Sequence, residues 1–215
     1  MDIIRKQTVK RSDPEKHPGG TPLAKAPRID LGTEIIPKER YTSVEFMQLE
    51  WDKIWTKTWL LGCREDQIPE PGDFICTNIG AESVILVRQK NDEIKAFHNV
   101  CMHRGNRLAD EGLWHAESFV CGYHGWEYDS DGTFVDIPDL DTFQQGKPPC
   151  SGLAELPCET WVSFVWFSLN TEVEPLEEYI GDLLGHFEPY HFCLLYTSDA
   201  ADEGLGVDLG GRRII

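Results

Sequence analysis

A mainly β fold of short antiparallel strands, with a helix before it and another after it, is what this 215-residue sequence predicts. Between positions 72 and 138, short runs rich in Val, Ile and Phe alternate with turn signals at Gly72, Asn91-Asp92, Asp131-Gly132 and Pro138. Two loops in the same stretch carry Cys and His at close spacing, Cys101-Met102-His103 and Cys121-Gly122-Tyr123-His124. Apolar runs are all far shorter than the ~18 residues a membrane helix needs, so the chain is read as a water-facing domain with metal-binding loops.

Met1 to Arg40 is rich in Lys, Pro and Gly without a sustained apolar period, and is expected to be an extended arm. From Ser43 a helix is expected. Ser43 can cap it, and Phe46, Leu49, Trp51, Ile54, Trp55 and Thr58 include the three- and four-residue spacings of a buried face. Strands are expected at Phe74 to Ile79, Val84 to Gln89 and Ile94 to Asn99, then near Phe119, at Trp126 to Tyr128 and at Thr133 to Val135. Trp161 to Leu169 reads as one closing strand, and Pro175 to Phe187 as a helix that opens a new unit. No internal repeat is present.

Charge divides the chain. Residues 1–40 hold 9 Lys and Arg against 6 Asp and Glu, residues 41–192 hold 9 against 27, and residues 193–215 hold 2 against 4. So acidic a central part repels phosphate backbones and anionic headgroups, which disfavours nucleic-acid and membrane-surface partners and suits a basic patch on a redox partner. The first 30 positions lack a signal peptide's apolar stretch, and Cys63, Cys76, Cys150, Cys158 and Cys193 have no disulfide-framework spacing. Reduced thiols and a cytoplasmic location are the expectation.

The four candidate ligands follow C-x-H-x17-C-x2-H, each loop offering one thiolate and one imidazole. That order suits a cluster whose two irons take different ligands, two Cys on one and two His on the other. Structural zinc on Cys2His2 is the alternative, although zinc modules normally pair like ligands locally. Gly105, Gly122 and Gly125 permit close approach of backbone N–H groups to sulfur, and Trp126 is placed to shield the centre from water. His98 and His115 read as ordinary strand-end and connector residues. Arg104 is either a donor toward the site or a neighbouring subunit, or an exposed loop residue. Asp136, Asp139 and Asp141 flank Pro138 and read as a solvated turn.

The loops CMHRGN and CGYHGW resemble the Rieske iron-sulfur family, in the branch of the large (alpha) subunits of non-haem iron oxygenases that hydroxylate aromatic rings; the resemblance runs from about Tyr41 to Asn170. Respiratory Rieske proteins carry an extra Cys in each loop, and here Asn106, Gly122 and Tyr123 stand in those loops. The resemblance implies a [2Fe-2S] cluster on Cys101, His103, Cys121 and His124, fed by a reductase or ferredoxin. In the intact parent it also implies a mononuclear iron that activates O2 and an assembly of three or six subunits. A stand-alone Rieske ferredoxin is the other carrier of such a centre. Asp182-x3-His186-x4-His191 imitates the two-His-one-carboxylate iron triad, but its context differs from the family's, and chance on an amphipathic helix is the simpler account. The implied division is an arm at 1–40, a Rieske domain at 41–170, the start of a truncated catalytic domain at 171–192, and a tail at 193–215. That tail, beginning Cys193-Leu194-Leu195-Tyr196-Thr197-Ser198-Asp199, resembles translated sequencing adapter, so natural sequence is expected to stop near Phe192.

Overall fold

The computed structural model describes residues 35–144, 146–150 and 152–184. Most of the expected arm, His186, His191, the end of the last expected helix at Phe187 and the whole 193–215 segment lie outside the described residues.

Helix α1 (Glu39–Thr42) leads into α2 (Val44–Glu50), which Ser43 caps by accepting from the Phe46 N–H at 3.1 Å. The helical path then loosens into a π turn over Trp51–Trp55. The expected buried face is only partly covered: Phe46, Trp51 and Thr58 are half-buried, while Leu49, Ile54 and Trp55 are exposed. Trp51 is the residue that reaches the sheet, lying over Gly80, where a Cβ would come within 2.3 Å of its ring.

Eleven strands follow among the described residues. β1 (Trp59–Arg64), β10 (Cys158–Trp161) and β11 (Phe164–Ser168) form a three-stranded sheet in the order β1-β11-β10. A five-stranded sheet has the order β5-β2-β3-β4-β9, from β2 (Asp73–Ile79), β3 (Glu82–Arg88), β4 (Ile94–His98), β5 (Gly112–His115) and β9 (Glu155–Leu156). A small sheet, β6-β7-β8, is built from β6 (Ser118–Val120), β7 (Glu127–Asp129) and β8 (Phe134–Asp136). Every paired register is antiparallel. The mainly β class is therefore observed.

β3 explains the layering. Val84, Ile85, Leu86 and Val87 are all fully buried, so this strand has no solvent face. Because side chains alternate across a strand, Ile85 and Val87 join a core with Phe74, Phe97, Phe119, Tyr128 and Phe134. Val84 and Leu86 join a second core with Leu60, Ile68, Ala96, Leu156, Val165 and Phe167. The first core lies under the small sheet and the two Cys/His loops; the second lies against the β1-β11-β10 sheet.

Three expectations need correction. Trp161–Leu169 is not one strand but the end of β10, a two-residue turn and β11; Val162 and Ser163 both hold positive φ, 48° and 67°. A two-residue hairpin turn of that hand normally uses Asn or Gly, so nothing in the sequence announced it. β1 continues where the first helix was expected to end, and its alternation is broken by a bulge between Leu61 and Cys63. The last helix, α3, covers Leu176–Ile180 and is broken at Gly181, φ 53°; helical backbone resumes at Leu183 and Leu184, and residues 185–187 of the expected helix lie outside the described residues. No helix among the described residues is long and apolar enough to cross a membrane.

Candidate metal centre

Both Cys/His loops use the same device. In the first, which joins β4 to β5, Cys101 N–H donates to Asn106 O at 2.7 Å and Gly105 N–H donates to Cys101 O at 2.9 Å. In the second, which joins β6 to β7, Cys121 N–H donates to Trp126 O and Gly125 N–H to Cys121 O, both at 2.8 Å. Each Cys thus opens a tight turn that a glycine of positive φ closes, Gly105 at 72° and Gly125 at 69°. At Gly125 space matters as well, since a Cβ would lie 2.6 Å from Pro138 Cγ, where the segment after β8 crosses the loop. Gly122 carries no such constraint: a Cβ there meets nothing within 4 Å.

The loops face each other with sulfur inside and nitrogen outside. Cys101 and Cys121 are almost fully buried in the first core, while the rings of His103 and His124 lie 4.6 Å apart nearer the surface. Trp126 stacks on His103, rings 4.8 Å apart and 3° from parallel, and so covers one face of that imidazole.

Electrostatics separate the two thiols. Burial acts to raise Cys121, but the N–H groups of Tyr123 and His124, the Cys101 thiol and the Asn106 amide all favour its thiolate, and the net leaves it below the ordinary thiol value. Cys101 stays above that value, by burial first; the Tyr128 hydroxyl and the His103 N–H oppose this, while Cys121 reinforces it. Desolvation, then the His124 and Arg104 charges, hold His103 below the ordinary imidazole value, which favours the neutral, ligating form. Tyr128 sits beneath the first loop, its hydroxyl 3.4 Å from Cys101 Sγ and accepting from Met102 N–H at 3.0 Å. Burial, then Cys101, pushes its own ionisation up, so it remains a donor.

The donor set fits a two-metal group. Nδ1 of His124 is buried without a hydrogen-bond partner among the described residues, as suits a metal-ligating nitrogen. No three His, Cys, Asp or Glu side chains among the described residues converge to hold one metal ion.

Elsewhere the residues weighed from sequence have plain structural roles. His98 pairs with Glu82 at 3.5 Å, and His115 Nδ1 meets Asp73 at 2.8 Å across β2 and β5. Arg104 is exposed. Asp136 accepts from Ile137 N–H, and Asp139 holds a left-handed φ of 56° ahead of a short 3-10 turn. Asp182 lies just past α3, while His186 and His191, which with it imitate the triad in sequence, are outside the described residues. Sequence reading missed Tyr128, whose position in β7 looked like ordinary core, and Asn106, whose amide reaches Cys121 Sγ at 3.8 Å. A polar residue inside a ligand loop was the available signal for Asn106; for Tyr128 there was none.

Residues 58–157 match the family described as the Rieske [2Fe-2S] domain. The large oxygenase component of the 2,4-dinitrotoluene dioxygenase system of Burkholderia sp. (strain RASC) is 36% identical over 152 residues, 69% of this chain and 34% of that protein. Biphenyl dioxygenase subunit alpha of Metapseudomonas furukawaii is 30% identical over 194 residues, 86% of this chain and 42% of that protein. Among solved structures, naphthalene 1,2-dioxygenase with indole in its active site superposes with TM-score 0.64 at 34% identity, over 69% of this chain and 34% of that one. The chain spans between about a third and two fifths of the length of the curated relatives it matches.

Proposed function

We propose, from the premise that residues 58–157 belong to the Rieske [2Fe-2S] domain family, that this chain is the electron-relay part of the alpha subunit of a ring-hydroxylating oxygenase. The observation that carries the reading is the asymmetry of the two facing loops: buried thiols of Cys101 and Cys121 on one side, the paired imidazoles of His103 and His124 on the other. When bound, the cluster supplies one-electron storage at a raised potential, because two neutral imidazoles replace two negative thiolates.

The chain's own residues do the rest. Cys121, eased toward thiolate by backbone N–H groups, and Cys101 would hold one metal; His103, kept toward its neutral form by desolvation, and His124 would hold the other. Tyr128 and Asn106 direct N–H and O–H dipoles at the sulfurs, and Trp126 keeps water from the outer imidazole face. Arg104 and the exposed side chains of Met102 and Tyr123 form the surface around the histidines, through which a reductase or ferredoxin would deliver electrons.

The parent's mononuclear iron, its O2 chemistry, an aromatic or other hydrophobic substrate, aromatic-compound catabolism, a trimeric or hexameric assembly and a cytoplasmic location all belong to this proposal. So does the division into an arm at 1–40, a cluster domain at 41–170, the start of a catalytic domain at 171–192 and an adapter-derived tail at 193–215. The relatives support it, being large or alpha components of dioxygenases.

Iron and sulfide analysis with electron paramagnetic resonance of the reduced chain tests the reading. The expected result is two irons and two sulfides per chain with the rhombic spectrum of a mixed-ligand cluster, lost in His124→Ala. Stoichiometric zinc and a silent spectrum would defeat it. Reading the natural gene beyond Phe192 separates oxygenase from carrier, since a stop codon there contradicts the oxygenase.

A further inference from the structure

Asn99 is one of five polar or charged residues buried among the described ones, and it lies two positions before Cys101 at the end of β4. Its side chain is fully used. Oδ1 accepts from the backbone N–H of Leu108 at 2.9 Å and of Ala109 at 3.1 Å. Nδ2 donates to Ala109 O at 2.7 Å, and to Ser83 Oγ and Cys76 Sγ, each at 3.0 Å. Its own N–H donates to Ser83 O at 2.8 Å. One amide therefore joins the entry of the first metal-binding loop to its exit, and ties both to β2 and β3. Buried polar networks of this kind fix geometry because every lost partner leaves an unsatisfied group.

We infer that Asn99 is a positioning residue for the metal centre: it closes the base of the loop that carries Cys101 and His103, and through Leu108 and Ala109 sets the segment that aims Asn106 at Cys121. The inference rests on the relay reading above for its redox consequence, but not for its structural part. The loop has no strand pairing between Val100 and Glu111, so the clamp stands in for a ladder. Asn suits the position because one planar group presents an acceptor to two N–H groups and a two-proton donor to three acceptors. Asp lacks the donor half, and an apolar residue lacks both.

The test compares Asn99→Leu with Gln89→Leu. Gln89 is also a buried amide, bonded to Ser130 O at 2.8 Å at the turn between β7 and β8, away from the ligand end of β7. Hydrogen exchange, cluster lifetime under a chelator and the line shape of the reduced resonance spectrum are read on the full chain. Asn99→Leu is expected to speed exchange at Leu108 and Ala109 by about tenfold or more, as loss of a buried hydrogen bond implies. It should shorten cluster lifetime by a similar factor and broaden the spectrum, while Gln89→Leu lowers melting without these three changes. Asn99→Asp, which keeps the oxygen facing both amides, should recover part of their protection. If Asn99→Leu does not fold, Asn99→Ser repeats the comparison with a side chain too short to reach the exit segment.

Identical behaviour of the Asn99 and Gln89 variants overturns the inference, as does unchanged exchange at Leu108 and Ala109. A wild-type chain without a cluster signal overturns the relay reading instead, and the exchange data still decide the role of Asn99.

Discussion

The two faces of β3 hold two different kinds of core. On one face, Leu60, Ile68, Val84, Leu86, Ala96, Leu156, Val165 and Phe167 interlock as apolar side chains. The other face adds Cys101, Cys121 and the tyrosine hydroxyl of Tyr128 to its aromatic residues. Thiols mark the contrast. Burial pushes Cys63 up to about 12, and Cys158, packed against that same apolar core, also to about 12, so both stay protonated and inert. Cys121, 2% exposed, is carried below the ordinary value by N–H donors, whereas Cys101 beside it stays above it, burial outweighing its donors.

If the apolar face is self-sufficient and the other is completed by metal, iron removal is the sharpest way to separate them. Amides of β6, β7 and β8 should lose protection by roughly a hundredfold or more on chelation, while those of β3 change little, because metal binding free energy is folding free energy where the site closes the core. Equal loss on both faces, followed by hydrogen exchange, would erase the distinction.

A smaller effect comes from the apolar side. Leu86→Ala removes a fully buried side chain from the second core and should cost about 2–5 kcal/mol in denaturant unfolding of the apoprotein. The cluster spectrum of folded molecules should stay unchanged; a shifted spectrum would mean that the cores are mechanically coupled.

Tyr128→Phe probes the other side without opening a cavity. It removes the hydroxyl 3.4 Å from Cys101 Sγ, and a net hydrogen bond of about 0.5–1.5 kcal/mol that favours the more negative, reduced state converts to a fall of roughly 20–60 mV in midpoint potential. Redox titration reads it, and an unchanged potential would show that this hydroxyl does not act on the sulfur.

The smallest effect is at the rim. The His115 ring, then the Glu70 N–H, hold the Asp73 carboxyl below its ordinary value. A depressed carboxylate stabilises the fold above its unfolded value, about 3.9, and loses that contribution as pH falls through the lower folded value. Asp73→Asn should therefore lower stability slightly at neutral pH and flatten the acid limb of the profile measured by circular dichroism, the two profiles converging as pH falls below the folded value. No change in the acid limb would remove the pair from the account.

Local signals named much of this protein. The spacing of Cys101, His103, Cys121 and His124, and the turn residues between Val- and Ile-rich runs, made the β class and the candidate ligands readable, since ligand identity and strand alternation are written in adjacent positions. Val162-Ser163 was unreadable because a hairpin turn without Asn or Gly leaves no trace. β9, two residues long, gains its strand character only from Ala96 and Phe97 across from it. The same holds at the centre. Which residue types could bind metal was fixed by the chain order alone, whereas which thiol is eased toward thiolate, which tyrosine meets the sulfur and which asparagine clamps the loop depended on contacts between residues up to tens of positions apart. Burial, hydrogen-bond partners and ring stacking exist only after packing, so that part of the chemistry was decided by the tertiary structure.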